Sequence, residues 1–92
     1  MNTGLKNKIS NMTSSRGNDV PNQFEIQTDK GILFQSYNSI IAFKSNGKIY
    51  LDSYYWDYSK TTGKYRNDFL GETKHETEEK IKSGQYKLVN LN

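Results

Sequence analysis

The dipeptide Asn46-Gly47 restricts the fold of this chain more than any other two residues in it. It separates Ile40-Ile41-Ala42-Phe43-Lys44-Ser45 from Lys48-Ile49-Tyr50-Leu51-Asp52, two runs rich in β-branched and aromatic side chains. Asn-Gly accepts the positive φ that a type I′ turn demands, and that turn twists with the strands it joins, so the segment reads as a β-hairpin. A two-residue loop also fixes the register, with Lys44 opposite Ile49, Phe43 opposite Tyr50 and Ala42 opposite Leu51. Side chains alternate along a strand, so Ile40, Ala42, Ile49 and Leu51 share one face and make the better core candidate. Ile41, Phe43 and Tyr50 share the other face, which needs a cover from a helix, from the N-terminal arm or from a partner.

The rest of the chain extends this pattern. Phe24-Glu25-Ile26-Gln27 alternates apolar and polar, Asp29-Lys30-Gly31 supplies turn chemistry, and Ile32-Leu33-Phe34-Gln35 returns as a second strand. Residues 54–66 are polar and aromatic without a clean period, and read as a structured loop with room for one helical turn. Thr73-Lys74-His75-Glu76 is a capping box and Gly84 a stop signal, which together predict a helix over 74–83 that docks through Ile81. Tyr86-Lys87-Leu88-Val89 follows as a last strand. Residues 1–19 are rich in Asn, Ser, Thr, Lys and Gly with no apolar periodicity, and read as a flexible basic arm ahead of Pro21.

Apolar material is scarce. Only 33% of the 92 residues are hydrophobic and seven of those are tyrosines, whose hydroxyls need water or a partner. A chain of this length buries about 60–65% of the surface it exposes when unfolded, which supports one domain with a thin core. The expected core is Phe24, Ile26, Leu33, Phe34, Ile40, Ala42, Ile49, Leu51, Trp56, Phe69, Leu70, Ile81 and Leu88. Cysteine is absent, which excludes a disulfide framework, a thiolate zinc site and a thiol nucleophile and suits a reducing cytoplasm. No signal-peptide core and no run of the ~18 apolar residues that a bilayer span requires is present, so no membrane partner is expected.

A net charge of +3 decides little, but its distribution is uneven. Lys6, Lys8 and Arg16 stand in an acid-free N-terminal stretch, and Lys60, Lys64 and Arg66 in a second. The stretch 72–79 holds Glu72, Glu76, Glu78 and Glu79 against Lys74 alone, which predicts an acidic helix face. His75 is the single histidine and reads as a solvated helix-start residue; Glu72 and His75 form one Glu-x-x-His pair where a di-iron site needs two. No serine sits in a nucleophile elbow. Thr61-Thr62-Gly63-Lys64 departs from a phosphate-binding loop at both ends, although its hydroxyls, its glycine amide and the nearby Lys64 and Arg66 are donors that an anion uses. No metal, cofactor or catalytic residue is therefore expected. Tyr54, Tyr55, Trp56, Tyr58 and Tyr65 interleave with the three cations as a nucleic-acid surface would, and the same rings are what so thin a core needs to close.

Ser36-Tyr37-Asn38-Ser39-Ile40-Ile41-Ala42 and Tyr58-Ser59-Lys60-Thr61-Thr62-Gly63-Lys64-Tyr65, followed by Phe69-Leu70, resemble a group of small, uncharacterised proteins of bacteriophages and mobile elements. These pair a Ser-Tyr-x-Ser/Thr-x-Ile/Val-Ala strand with a Tyr-Ser-x-Thr-Thr segment. Tyr65 stands where the group often has histidine, which weakens histidine chemistry at that position. The resemblance implies a modifier of host machinery in the cytoplasm of a bacterial host, such as an inhibitor of CRISPR effectors or other defence nucleases.

The expected fold is thus α+β: a single β-rich domain over 20–92, with a small antiparallel sheet of four to five strands and one short C-terminal helix, behind the flexible arm over 1–19. The expected function is binding. One reading is contact with a host protein or nucleoprotein complex through Ile41, Phe43, Tyr50 and the Tyr-rich loop. The other is direct nucleic-acid binding by that loop, with Tyr58, Lys60, Thr61, Thr62, Lys64, Tyr65 and Arg66 as the contacts.

Overall fold

A computed structural model describes residues 8–92 of the protein. In chain order the elements are strands β1 (Lys8–Thr13), β2 (Asp19–Thr28), β3 (Gly31–Ser36), β4 (Ser39–Ser45) and β5 (Lys48–Asp52), helices α1 (Lys60–Leu70) and α2 (Lys74–Lys82), and strand β6 (Tyr86–Val89). All six strands form one sheet in the order β1-β2-β3-β4-β5-β6. The first five make an antiparallel meander, whereas β6 runs parallel to β5. A parallel neighbour cannot be reached by a tight turn, and the two helices are the crossover that reaches it. Among the described residues the sheet is thus larger than the expected four or five strands and mixed, and the helices number two. The molecule measures 42 × 30 × 21 Å, and its thin dimension holds one sheet and one helical layer.

The hairpin has the expected geometry. Asn46 and Gly47 take φ of 52° and 77°, and Ala42 faces Leu51, Phe43 faces Tyr50 and Lys44 faces Ile49. The face assignment fails at one residue. Phe34 pairs with Ala42 and Gln35 with Ile40, so Ile41 is an extra residue bulged out of register. The bulge turns Ile41 to the same side as Ala42, and both are fully buried. Ile41 therefore belongs to the core and not to the uncovered face, and Ile40 changes sides with it.

Two other expectations change for reasons the sequence conceals. Residues 8–13, read as part of a flexible arm, are strand β1 on the edge of the sheet, with Ile9 opposite Ile26 and Asn11 opposite Phe24. Backbone pairing needs no apolar side chains, and Met12 supplies the one buried anchor. The turn that follows is closed by Ser14, whose hydroxyl accepts from the amides of Arg16 and Asn18. The remainder of the arm, including Lys6, lies outside the described residues. The stretch read as a loop over 54–66 holds the N-terminal half of α1, capped by Ser59, which accepts from Thr62 N, and stopped by Gly71 in the left-handed region.

Helix α1 lies on the face that carries Phe34, Ala42 and Leu51; the rings of Phe34 and Phe69 stack at 5.6 Å, and Lys44 Nζ sits 4.2 Å over Phe69. The core consists of Met12, Phe34, Ile41, Ala42, Leu51, Tyr65, Phe69 and Tyr86, with Ile49, Trp56, Leu70 and Ile81 packed against it. Phe24, Ile26 and Leu33 of the expected core are on the opposite face and half-buried, and Leu88 is 43% exposed. Helix α2 has its capping box and docks through Ile81 and through a polar set: Glu72 accepts from Lys80 Nζ at 2.7 Å, from the Tyr86 hydroxyl at 2.8 Å and from Thr77, which is fully buried.

Candidate functional site

The sequence singled out one loop, and the structure divides its residues between the inside and the outside of α1. Positions Thr62, Tyr65, Arg66 and Phe69 follow the i, i+3, i+4, i+7 spacing of a buried helix stripe, and all four are buried. Thr62 joins its hydroxyl to Ser36 at 2.9 Å and to Ser59 at 3.1 Å, tying the helix to β3. Arg66, expected as an exposed cation, is 1% exposed. Its guanidinium donates to the Trp56 carbonyl at 2.8 Å, to Asp57 at 3.1 Å and to Asn67 at 3.0 Å, and stands 5.0 Å over the Trp56 ring. Asp57 is shared with Lys74 at 2.7 Å. Partial burial pushes the Asp57 carboxyl upward, but Lys74 and Arg66 outweigh it and hold the group below its ordinary range.

What remains outside is Tyr58, Lys60, Thr61 and Lys64, all exposed. Lys60 and Lys64 are one helical turn apart and line an open groove of about 620 Å³ beside α1, with Ser59, Gly63, Asp68 and Lys74. Tyr54, at 72% exposed, and Tyr58, at 65%, are among the most exposed large side chains. Tyr54 lies edge-on to the partly buried Tyr55 at 4.7 Å, and Tyr58 does so at 5.4 Å.

The second feature is the sheet face opposite the helices. Register places Ile9, Ile26, Leu33, Phe43 and Tyr50 in one continuous cross-strand row from β1 to β5, and the row ends on Lys87 of β6. Phe24, Gln35 and Ile40 form a shorter parallel row. Ile9 is 66% exposed, and Leu33, Phe43 and Tyr50 are half-buried, with the Phe43 and Tyr50 rings 6.2 Å apart. Among the described residues no helix or strand packs across this face. Lys48 and Lys87 are its cations. Asp52, on the same side of β5 as Tyr50, is 2% exposed and consumed, since it accepts from the amides of Tyr54, Tyr55 and Leu91. Burial opposes ionisation of Asp52, and these amides prevail, so its pKa lies below the ordinary value. Period-two alternation carried through the meander could have found Ile26 and Leu33; β1 had too little apolar content to show Ile9.

Among the described residues no three His, Asp or Glu side chains are placed to hold a metal ion. His75 is exposed, and Glu72, its half-motif partner, is engaged by Lys80 and Tyr86. No helix among the described residues is long and apolar enough to cross a membrane.

One mixed sheet, one helical layer and one open sheet face define a two-layer α+β protein. The chain belongs to the Family of unknown function (DUF8033), whose model matches residues 7–85. No curated protein and no solved structure matches it significantly.

Proposed function

We propose that the protein is a non-enzymatic binding module that docks a partner protein on the open face of its sheet, as a phage-type modulator of a host nucleoprotein or defence complex. The observation that carries this is the row Ile9-Ile26-Leu33-Phe43-Tyr50, an apolar stripe that crosses five strands and has no covering element among the described residues. A continuous, half-exposed apolar stripe of this kind suits a docking surface, because covering it releases water at about 25 cal/mol per Å². Three of its five side chains are aliphatic and offer no ring for a base to stack on, which favours a protein surface over a nucleic acid at this face. Lys48 and Lys87 at one end favour a partner with an acidic margin. The non-enzymatic part is supported by the titratable groups, whose closest clusters, Arg66-Asp57-Lys74 and Glu72-Lys80-Tyr86, fasten helices to the rest of the fold.

The test is affinity capture from nuclease-treated bacterial lysate with the wild type and with Ile9→Asp and Leu33→Asp. A partner retained by the wild type at high salt and lost by both variants, with Ile9→Asp melting like the wild type, is the expected outcome. Retention of the same partner by both folded variants excludes the open face as the docking surface.

A further inference from the structure

We propose that the groove beside α1 is a separate binding surface, built for a single-stranded nucleic acid. Its walls are cationic: Lys60 and Lys64 project from one face of α1, and Lys74 faces them from the start of α2. Neither Lys60 nor Lys64 forms an ion pair with a described residue. Two carboxylates also line the groove. Asp57 is neutralised by Arg66 and Lys74, which leaves Asp68 as the one acid not offset within it. Four cations against two acids give the groove a net attraction for a phosphate backbone.

Beside it stands an aromatic ledge. Tyr58 lies in the chain between Asp57 and Ser59, both of which line the groove, and its ring is 6.3 Å from that of Tyr54. Two tyrosines exposed to this extent would ordinarily be loose, but here both lean on Tyr55, which is packed against the core. The rings are therefore positioned before any ligand arrives, and little side-chain freedom is lost on binding. A cationic channel next to ordered, exposed rings is the arrangement that grips a single strand, with phosphates on the lysines and unpaired bases on the rings. A duplex keeps its bases stacked out of reach of the rings and gains only the charge term. The surface is independent of the open sheet face, so the two proposals fail separately.

The experiment is fluorescence anisotropy on the full chain with labelled oligo(dT) and oligo(U) of about 15 nucleotides and a duplex of equal length, at about 50 and 200 mM salt. Both single strands should bind, and the duplex about tenfold more weakly. Lys60→Ala with Lys64→Ala should flatten the salt slope by about 1.4, two phosphate contacts at about 0.7 each. Tyr58→Ala should weaken binding about tenfold with the slope unchanged. Ile9→Asp, on the far face, should bind like the wild type. All four residues are exposed, so melting curves should coincide. The proposal is overturned by no saturable binding at low salt, by equal affinity for duplex and single strand, or by groove variants that bind as tightly as the wild type.

Discussion

Replacing Arg66 by alanine removes three hydrogen bonds, one of them an ion pair to Asp57, and uncovers the face of Trp56. Asp57 is about one-third exposed and can rehydrate, so the expected loss lies at the low end for a broken buried pair, about 3 kcal/mol. A thermal melt checks it, and a midpoint within a degree or two of the wild type would show that the guanidinium is dispensable. Lys60→Ala and Lys64→Ala on the same helix should leave the melt unchanged. The three cations are indistinguishable in the sequence; the helix stripe on which each falls separates them. Gln23 presents the converse case. It is fully buried opposite Ser36, and neither amide atom has a hydrogen-bond partner among the described residues. Gln23→Met keeps the shape and removes the unmet polar group, so it should raise stability by about 1 kcal/mol, or about 4–8 °C in Tm. A destabilised variant would show that the amide has a partner in solution.

Among the elements, α1 holds a glycine in its interior at a cost in helix propensity. Gly63 has no positive φ, and the atoms nearest to a Cβ there, in the Arg66 guanidinium and the Asp57 carboxylate, stand at 3.7 Å, an ordinary contact. Gly63→Ala should therefore stabilise the protein by about 0.5–1 kcal/mol in a denaturant titration. Loss of stability would mean that the Arg66-Asp57 pair needs the whole space. Asn46-Gly47→Val-Val should cost 1 kcal/mol or more, since both positions lie at positive φ. What could be read in advance follows the same physics. The hairpin, the α2 capping box and β6 were legible because each rests on a local signal. Helix α1 was not, although Ser59 and Gly71 mark its ends, because Thr62 and Arg66 occupy two of the four inward positions and hide the period. The open face was half legible: Phe43 and Tyr50 follow from the hairpin, whereas the side on which Ile41 falls depends on a bulge that no local pattern announces.

For the molecule as a whole, three carboxylates tie distant parts of the chain together, and all three have lowered pKa values: Asp52 joins β5 to the C-terminal residues, Asp57 joins α1 to α2, and Glu72 joins α2 to β6. A carboxyl whose folded pKa lies below its unfolded one contributes stability above the unfolded value, about 3.9–4.3, and loses it as the pH falls through the folded value. Melting temperature should therefore hold steady from neutral pH to about 5 and drop below about 4. Lys74, Lys80 and Tyr86 act with the opposite sign, because their raised pKa values withdraw their contribution only as the pH climbs above the ordinary lysine and tyrosine range. A flat melt from pH 7 to 2 would show that these contacts are not held in solution.

The parallel pairing of β6 has a consequence for how the chain is made. Strands β1 to β5 are joined by short turns, so each can pair with the strand before it soon after it is synthesised. β5 then waits. Its outer edge stays unpaired until both helices and residues 86–89 have emerged, which is the window in which an exposed strand edge meets the edge of another nascent chain. A chain cut before Tyr86 never leaves that window, so its solubility should fall together with the stability that the Tyr86 ring and its bond to Glu72 supply.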